Sequence, residues 1–312
     1  MSSNKISVVF PGQGSQYPQM LAKYIDSHSL VRNTFDESSD LLGMDLIKLL
    51  NEGSQEDLSK TEVTQPLMLT ADIALWNQIS QFINLPTCMA GHSLGEYAAL
   101  VASETISFED GLALVVERSK LMQSAVPQEE GGIAAIIGLE EEDIIKVCEE
   151  VNQNGNFLVN IANLNSPNQI VISGNKQGIK KAIDESKLLG AKRAIPLPMS
   201  VPAHSMLMKE AADKFLSTIE GVEFTLPKIP IIHNVDSSYD NDIVDIKAKL
   251  VKQIYSSVRW VDTIKTITNM KVSTIIECGP GKVLCGLIKR ISSSVATIDL
   301  DTYDNYLELS NE

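Results

Sequence analysis

Gly91-His92-Ser93-Leu94-Gly95 is the stretch on which the fold turns. A short apolar run, Pro86-Thr87-Cys88-Met89-Ala90, leads into it, and Glu96-Tyr97-Ala98-Ala99-Leu100-Val101-Ala102 leads out. This order predicts strand, tight turn, helix, the setting of a G-x-S-x-G nucleophile elbow. The two glycines allow a backbone bend too sharp for a Cβ, which lifts the Ser93 side chain clear of the sheet. A helix starting at Ser93 or Leu94 aims free N–H groups and the positive end of its dipole at the serine oxygen. A catalytic serine is the leading reading, with an ordinary strand-to-helix turn as its rival.

Towards the N-terminus, Ile6-Ser7-Val8-Val9-Phe10 reads as a buried strand ending in the loop Pro11-Gly12-Gln13-Gly14-Ser15-Gln16. That loop lacks the Gly-Lys-Ser/Thr of a P-loop, and Tyr17 stands where a dinucleotide fingerprint has its third glycine. Nucleotide binding is therefore disfavoured. Residues 18–80 read as mainly helical, broken near Asn51–Gln55, with an apolar stripe from Pro66 to Phe82 suited to packing on a sheet. After the elbow, Ser107 or Asp110 caps a helix running to about Ser124, which carries Arg118 and Lys120.

The pattern changes between Gly131 and Leu197. Strand, helix, two strands, helix and strand are predicted at 133–137, 140–151, 157–161, 169–173, 176–189 and 193–197. This β-α-β-β-α-β order is the ferredoxin-like arrangement, fenced by Pro127–Gly132 on one side and Pro196, Pro198 and Pro202 on the other. Helices at about 206–219, 246–255 and 282–290 then alternate with strands at 229–232 and 274–277. The expected fold is α/β: a hydrolase-like large domain (1–128 and 200–312) with a mostly parallel, helix-covered sheet, and an inserted ferredoxin-like small domain (129–199).

A chain of 312 residues with 44% hydrophobic and 21% charged residues has ordinary globular composition. Its net charge of −14 argues against nucleic-acid binding, which needs clustered Lys and Arg. Cys88, Cys148, Cys278 and Cys285 form no C-x-x-C pair, and read as buried thiols in a reducing compartment. No secretory signal core and no run of about 18 apolar residues is present. A cytoplasmic monomer with no membrane contact, no metal and no redox cofactor is the expectation.

A serine nucleophile needs a base, usually an oriented histidine. His28 precedes any likely site element, and His92 lies inside the elbow with its side chain directed away from the serine. His204 and His233 remain, both in the Ser-before-His order of α/β-hydrolase-like chains. His204, in the rigid loop Val201-Pro202-Ala203-His204-Ser205 where the inserted segment returns, is favoured because ligands bind in clefts between domains.

Five stretches occur in order: Phe10-Pro11-Gly12-Gln13-Gly14-Ser15-Gln16, Gly91-His92-Ser93-Leu94-Gly95-Glu96, the Arg118 helix, Pro198-Met199-Ser200-Val201-Pro202-Ala203-His204 and Glu277-Cys278-Gly279-Pro280-Gly281-Lys282. Together the chain resembles the malonyl-CoA:acyl carrier protein transacylases of fatty-acid synthesis over nearly its whole length. The resemblance implies Ser93 as the acylated nucleophile, His204 as its base, and the Gln253 main-chain oxygen as the group orienting that base. It implies an oxyanion hole from the amides of Gln13 and Leu94, and substrate contacts from Arg118, Asn163 and Gln65. An arginine fork holds a free carboxylate in a way Lys does not match, and its loss is expected to cost about 2–4 kcal/mol in selectivity.

Malonyl-CoA and an acyl carrier protein are the implied partners, a coenzyme A thioester being substrate and phosphopantetheine belonging to the carrier. Lys192, Arg193, Lys282, Lys289 and Arg290 are the candidate docking cations for the carrier and the phosphates of coenzyme A. Ala203 before the histidine and Cys278 before Gly-Pro-Gly depart from the commoner pattern by small changes. A stand-alone acyltransferase of a polyketide synthase and a serine esterase or thioesterase are the alternatives.

Overall fold

Continuous apolar runs become parallel strands buried on both faces, and alternating runs become an antiparallel sheet with one face on helices. The computed structural model describes residues 5–127, 129–153, 157–198 and 201–311. Its strands are β1 (Ile6–Phe10), β2 (Cys88–Gly91), β3 (Gly131–Ile137), β4 (Val159–Ser166), β5 (Gln169–Asn175), β6 (Arg193–Pro196), β7 (Ile231–Ile232), β8 (Thr274–Glu277) and β9 (Ala296–Asp299).

The larger sheet has the order β7-β2-β1-β8-β9, and its pairings are all parallel. Along β1, Val8 and Phe10 enter the core that contains Leu67, Leu69 and Tyr97, whereas Val9 enters the one with Trp260, Ile264 and Leu284. A strand sandwiched in this way has no polar side, hence the unbroken Val8-Val9-Phe10. The strand expected over 229–232 shortens to Ile231–Ile232, consistent with Pro230 having no N–H for a ladder.

The helix Thr61–Ile79 is longer than its stripe predicted, and Pro66 lies inside it. Every residue from Thr64 to Leu75 is buried. The helices Ser29–Leu42 and Phe108–Ser124 pack against it, so it is a central core helix rather than a half-exposed one. The helix expected over 206–219 divides into a 3-10 turn, Met206–Met208, and the helix Lys209–Glu220. The helices Trp260–Asn269 and Tyr303–Ser310 and strand β9 lie outside the segments assigned from pattern.

The smaller sheet has the order β4-β5-β3-β6, all antiparallel, as the ferredoxin-like reading requires. Ala134, Ile136, Ile170 and Ile172 form a core with the helices Glu141–Gln153 and Lys176–Leu188. The alternate residues Ile133 and Val171 face the opposite way and pack with Leu197. The boundaries expected at 128/129 and 199/200 fall at Gln128, Met199 and Ser200, which lie outside the described residues.

Candidate active site

Four neighbouring parallel strands release the chain at the same edge, the usual place for a site in an open α/β sheet. β2 ends in the elbow, β1 in the Pro11–Ser15 loop, β7 in His233-Asn234 and β8 in the Cys278–Lys282 turn. The helix after the elbow is Gly95–Ala102, one or two residues later than the start at Ser93 or Leu94 that the sequence predicts. Glycine is needed at three points of contact. A Cβ on Gly91 would lie 1.8 Å from the Gly95 carbonyl carbon, one on Gly95 2.1 Å from the Phe10 oxygen, and one on Gly12 2.3 Å from the His92 oxygen. Ser93 itself is left-handed, at φ 53°, a strained setting for a residue with a side chain. Asn234 braces the turn: its Oδ1 accepts from the Ser93 amide at 2.7 Å and its Nδ2 donates to the Gly91 oxygen at 2.7 Å.

Ser93 Oγ lies 2.8 Å from His204 Nε2, and His204 Nδ1 lies 2.7 Å from the Gln253 main-chain oxygen. A carbonyl only accepts, so Nδ1 carries the ring hydrogen and Nε2 is left to accept from the serine hydroxyl. His204 is also left-handed, at φ 61°, and its amide donates to the Ile254 oxygen. Ser173 Oγ, from the small sheet, donates to the Ala203 oxygen at 2.6 Å. His204 is therefore held from the C-terminal end of the helix Ile243–Gln253 and from the small sheet. Burial, reinforced by the Arg118 charge, pushes the His204 imidazole down to about 3, so it is neutral in the folded protein over the physiological range.

Arg118 reaches the same spot from the helix Phe108–Ser124 and is 1% exposed. Its Nη1 donates to Gln65 Oε1 at 2.7 Å, and its Nη2 donates to Ser93 Oγ at 3.1 Å and to Gln253 Oε1 at 3.0 Å. The Gln253 amide nitrogen donates in turn to the Ser93 oxygen at 2.9 Å and to Glu96 Oε2 at 2.7 Å. Gln253 thus touches Ser93, His204 and Arg118 at once.

Of the other residues singled out in the sequence, Gln13, Leu94 and Asn163 line the cleft with Ser93, Arg118 and His204. Neither the Gln13 nor the Leu94 amide has an acceptor among the described residues. A Cβ on Gly12 would lie 3.7 Å from the Leu94 nitrogen, so the two loops meet there. Gln65 stands behind Arg118 rather than on the cleft wall. His92 Nε2 pairs with Asn165 Oδ1 at 2.8 Å and its ring packs on Trp260. His233, the second candidate base, is turned to Glu96 Oε1 at 2.7 Å instead.

Lys192, Arg193 and Arg290 share a groove that joins the cleft at Gln169, and Arg290 donates to the Gln169 side chain at 2.7 Å. Lys282 and Lys289 are exposed but line neither. Glu96 and Asn234 are the residues that sequence reasoning misses. A carboxylate in the first turn of an otherwise apolar helix was a usable signal for Glu96; Asn234 carried none. All four cysteines are free and buried, and no helix among the described residues is long and apolar enough to cross a membrane.

The acyl transferase domain family matches residues 8–301. The malonyl CoA-acyl carrier protein transacylase of Salmonella typhimurium is 45% identical over 298 residues, covering 95% of this chain and 96% of that protein. The Bacillus subtilis protein of the same name is 42% identical, covering 95% and 93%. Among solved structures, the malonyl CoA-acyl carrier protein transacylase of Coxiella burnetii superposes with a TM-score of 0.95 at 42% identity, covering 99% of this chain and 97% of that one. A malonyl-transacylase in complex with its type II polyketide acyl carrier protein does so at 0.95 and 44%, covering 99% and 100%. With that span of likeness, and a serine, a histidine and an arginine meeting at the strand ends, the chain belongs to the acyl transferase domain family, among its malonyl-CoA:acyl carrier protein transacylases.

Proposed function

We propose that this protein moves a malonyl group from coenzyme A to the phosphopantetheine thiol of an acyl carrier protein through a malonyl-Ser93 intermediate. The observation that carries the reading is the convergence on Ser93 Oγ of His204 Nε2 at 2.8 Å and Arg118 Nη2 at 3.1 Å. His204 takes the hydroxyl proton as Oγ attacks the thioester carbonyl, and returns it to the departing coenzyme A sulfur. The Gln253 carbonyl keeps the imidazole in the required tautomer. The Gln13 and Leu94 amides stabilise the oxyanion, a reading supported by their lack of other acceptors among the described residues. Arg118 pairs with the malonyl carboxylate, Gln65 steadies Arg118, and Asn163 contacts the acyl group from the opposite wall.

The groove of Lys192, Arg193 and Arg290 receives carrier and coenzyme A phosphates, with Lys282 and Lys289 as outlying cations. The chemistry calls for no cofactor beyond the two thiols, and the reaction is placed in the cytoplasm. Residues 129–199 act as a lobe inserted between 1–128 and 200–312, a division supported by the separate core of the smaller sheet.

Intact mass after mixing with malonyl-CoA tests the reading. A malonyl-sized increment on the parent and none on Ser93→Ala is the expected outcome; no increment on the parent would end it. The solved complex with a polyketide carrier favours a second reading in which the acceptor is a polyketide carrier, and turnover on the two carrier types separates them. An esterase would release malonate to water without waiting for a thiol.

A further inference from the structure

The hydrogen bonds of Arg118 raise a question about how a carboxylate gets in. A guanidinium grips a carboxylate with two parallel N–H groups. Only two of its edges are open to such a grip, Nη1 with Nη2 and Nε with Nη2, because Cδ blocks the third. Either grip uses an Nη2 hydrogen. Both Nη2 hydrogens already have acceptors, one the Ser93 Oγ and the other the Gln253 Oε1. Nε, by contrast, has no partner among the described residues.

The two Nη2 acceptors differ in how firmly they stay. Gln253 is fully buried, and its amide nitrogen is fixed by the Ser93 oxygen and by Glu96. Glu96 is in turn held by His233 Nδ1 and the Asn234 amide. A carboxylate accepts only and a guanidinium donates only, so the Gln253 amide has one workable direction, with its oxygen towards Arg118. Ser93 Oγ is the acceptor that faces the cleft.

We propose that a free carboxylate on the incoming acyl group takes the Nη2 hydrogen now resting on Ser93 Oγ, so that the substrate itself unlocks the nucleophile. The proposal rests on the transferase reading above and adds to it. In the resting protein Ser93 Oγ gives its hydrogen to His204 and accepts one from a cation, which withdraws electron density from the attacking lone pair. The same cation opposes formation of imidazolium at His204 and holds that ring's basicity down. A carboxylate on Arg118 relieves both effects at once. Oγ then attacks the thioester carbon, its proton passes to His204 Nε2, and the C–S bond breaks as that proton moves to the sulfur. An acetyl group has no carboxylate and leaves the lock closed, so selection acts on the rate of acylation at saturation as well as on binding.

The test supplies the missing carboxylate separately. Single-turnover acylation of Ser93 is followed by intact mass with saturating malonyl-CoA, saturating acetyl-CoA, and acetyl-CoA with sodium formate, sodium chloride serving as the ionic-strength control. Formate is expected to raise the acetylation rate constant saturably, by roughly 10–100-fold, the range that one charge-assisted hydrogen bond supplies. In Arg118→Ala, checked for folding by circular dichroism, acetylation is expected to be faster than in the parent and indifferent to formate. Acetylation that formate leaves unchanged or slows, or that matches malonylation without formate, would overturn the lock. Failure of malonyl-CoA to label Ser93 at all would instead remove the transferase reading.

Discussion

Asp72 is a fully buried carboxyl with no hydrogen-bond partner among the described residues for either oxygen. It lies under the turn after β8, where a Cβ on Gly279 would come within 2.3 Å of its Oδ1. Burial, then the neighbouring Glu277, holds its proton on well above the ordinary carboxyl range. In the unfolded chain the group ionises near pH 4. Above that pH folding must recapture a proton, so stability falls with rising pH until the folded carboxyl itself ionises. Glu277, pushed up to about 7 chiefly by burial, adds to the same slope. Asp72→Asn is expected to flatten the decline between pH 5 and pH 8 by up to about 1.4 kcal/mol per pH unit, the linkage of one proton. Urea denaturation at the two pH values reads it, and an unaltered difference would count against the account.

His204 works in the other direction. Its folded imidazole is neutral above about 3, whereas the unfolded one takes a proton below about 6.5. Its contribution to stability is complete above about 6.5 and is lost as pH falls towards 3. The same shift has a kinetic consequence: kcat/KM for malonyl-CoA reports the free enzyme, so its pH profile should show no acid limb centred near 6.5 from this base. Stopped single turnovers between pH 5 and 7.5 measure it, and a limb centred at 6.5 that vanishes in no buffer would contradict the buried placement.

At the scale of elements, the site depends on how closely the loop after β1 approaches the elbow after β2. Gly12 permits that approach, since a Cβ there would lie only 2.3 Å from the His92 oxygen. Gly12→Ala is expected to push the Gln13 amide away from the Leu94 amide and slow Ser93 malonylation by about 10²–10³-fold, the usual loss for one oxyanion donor. The rate of mass labelling checks this, and near-parental labelling in a folded variant would remove Gln13 from the oxyanion hole. The small sheet shows a second division of labour along single strands. Ile170 and Ile172 of β5 face the helices, while Val171 between them lines the cleft. One period-2 strand therefore supplies both a core and a wall of the site.

For the whole molecule, a net charge of −14 coexists with a groove carrying Lys192, Arg193 and Arg290 beside the cleft mouth. These cations come from different parts of the fold: Lys192 just before β6, Arg193 at its start, and Arg290 from the helix Val283–Ile291. Reversing all three to Glu is expected to raise KM for an acidic carrier about tenfold or more at low salt, with the gap narrowing as salt shortens the Debye length to about 3 Å near 1 M. Steady-state rates against carrier concentration at two ionic strengths measure it. Equal KM values at low salt would move the docking surface elsewhere.

Local chemistry made much of this protein legible in its sequence. Gly91 and Gly95 around Ser93, the apolar runs of β1 and β2, and the alternation of β3 and β5 each act within a few residues, where backbone sterics and periodicity decide the outcome. Five motifs in order singled out the segments of Arg118 and His204, and the resemblance they carry pointed to Gln253. Tertiary structure alone decided which partner each side chain met. Gln253 reaches back 160 residues to Ser93 and 157 to Glu96, and His233 turns to Glu96 although its place after Ser93 in the chain also allowed a base. The same holds for the burial on all sides of the Thr64–Leu75 stretch of helix Thr61–Ile79 and for the unpaired Asp72. Those contacts join residues far apart in the chain, and only the packing of the two sheets and their helices, which excludes water from that edge, brings the groups within reach of one another.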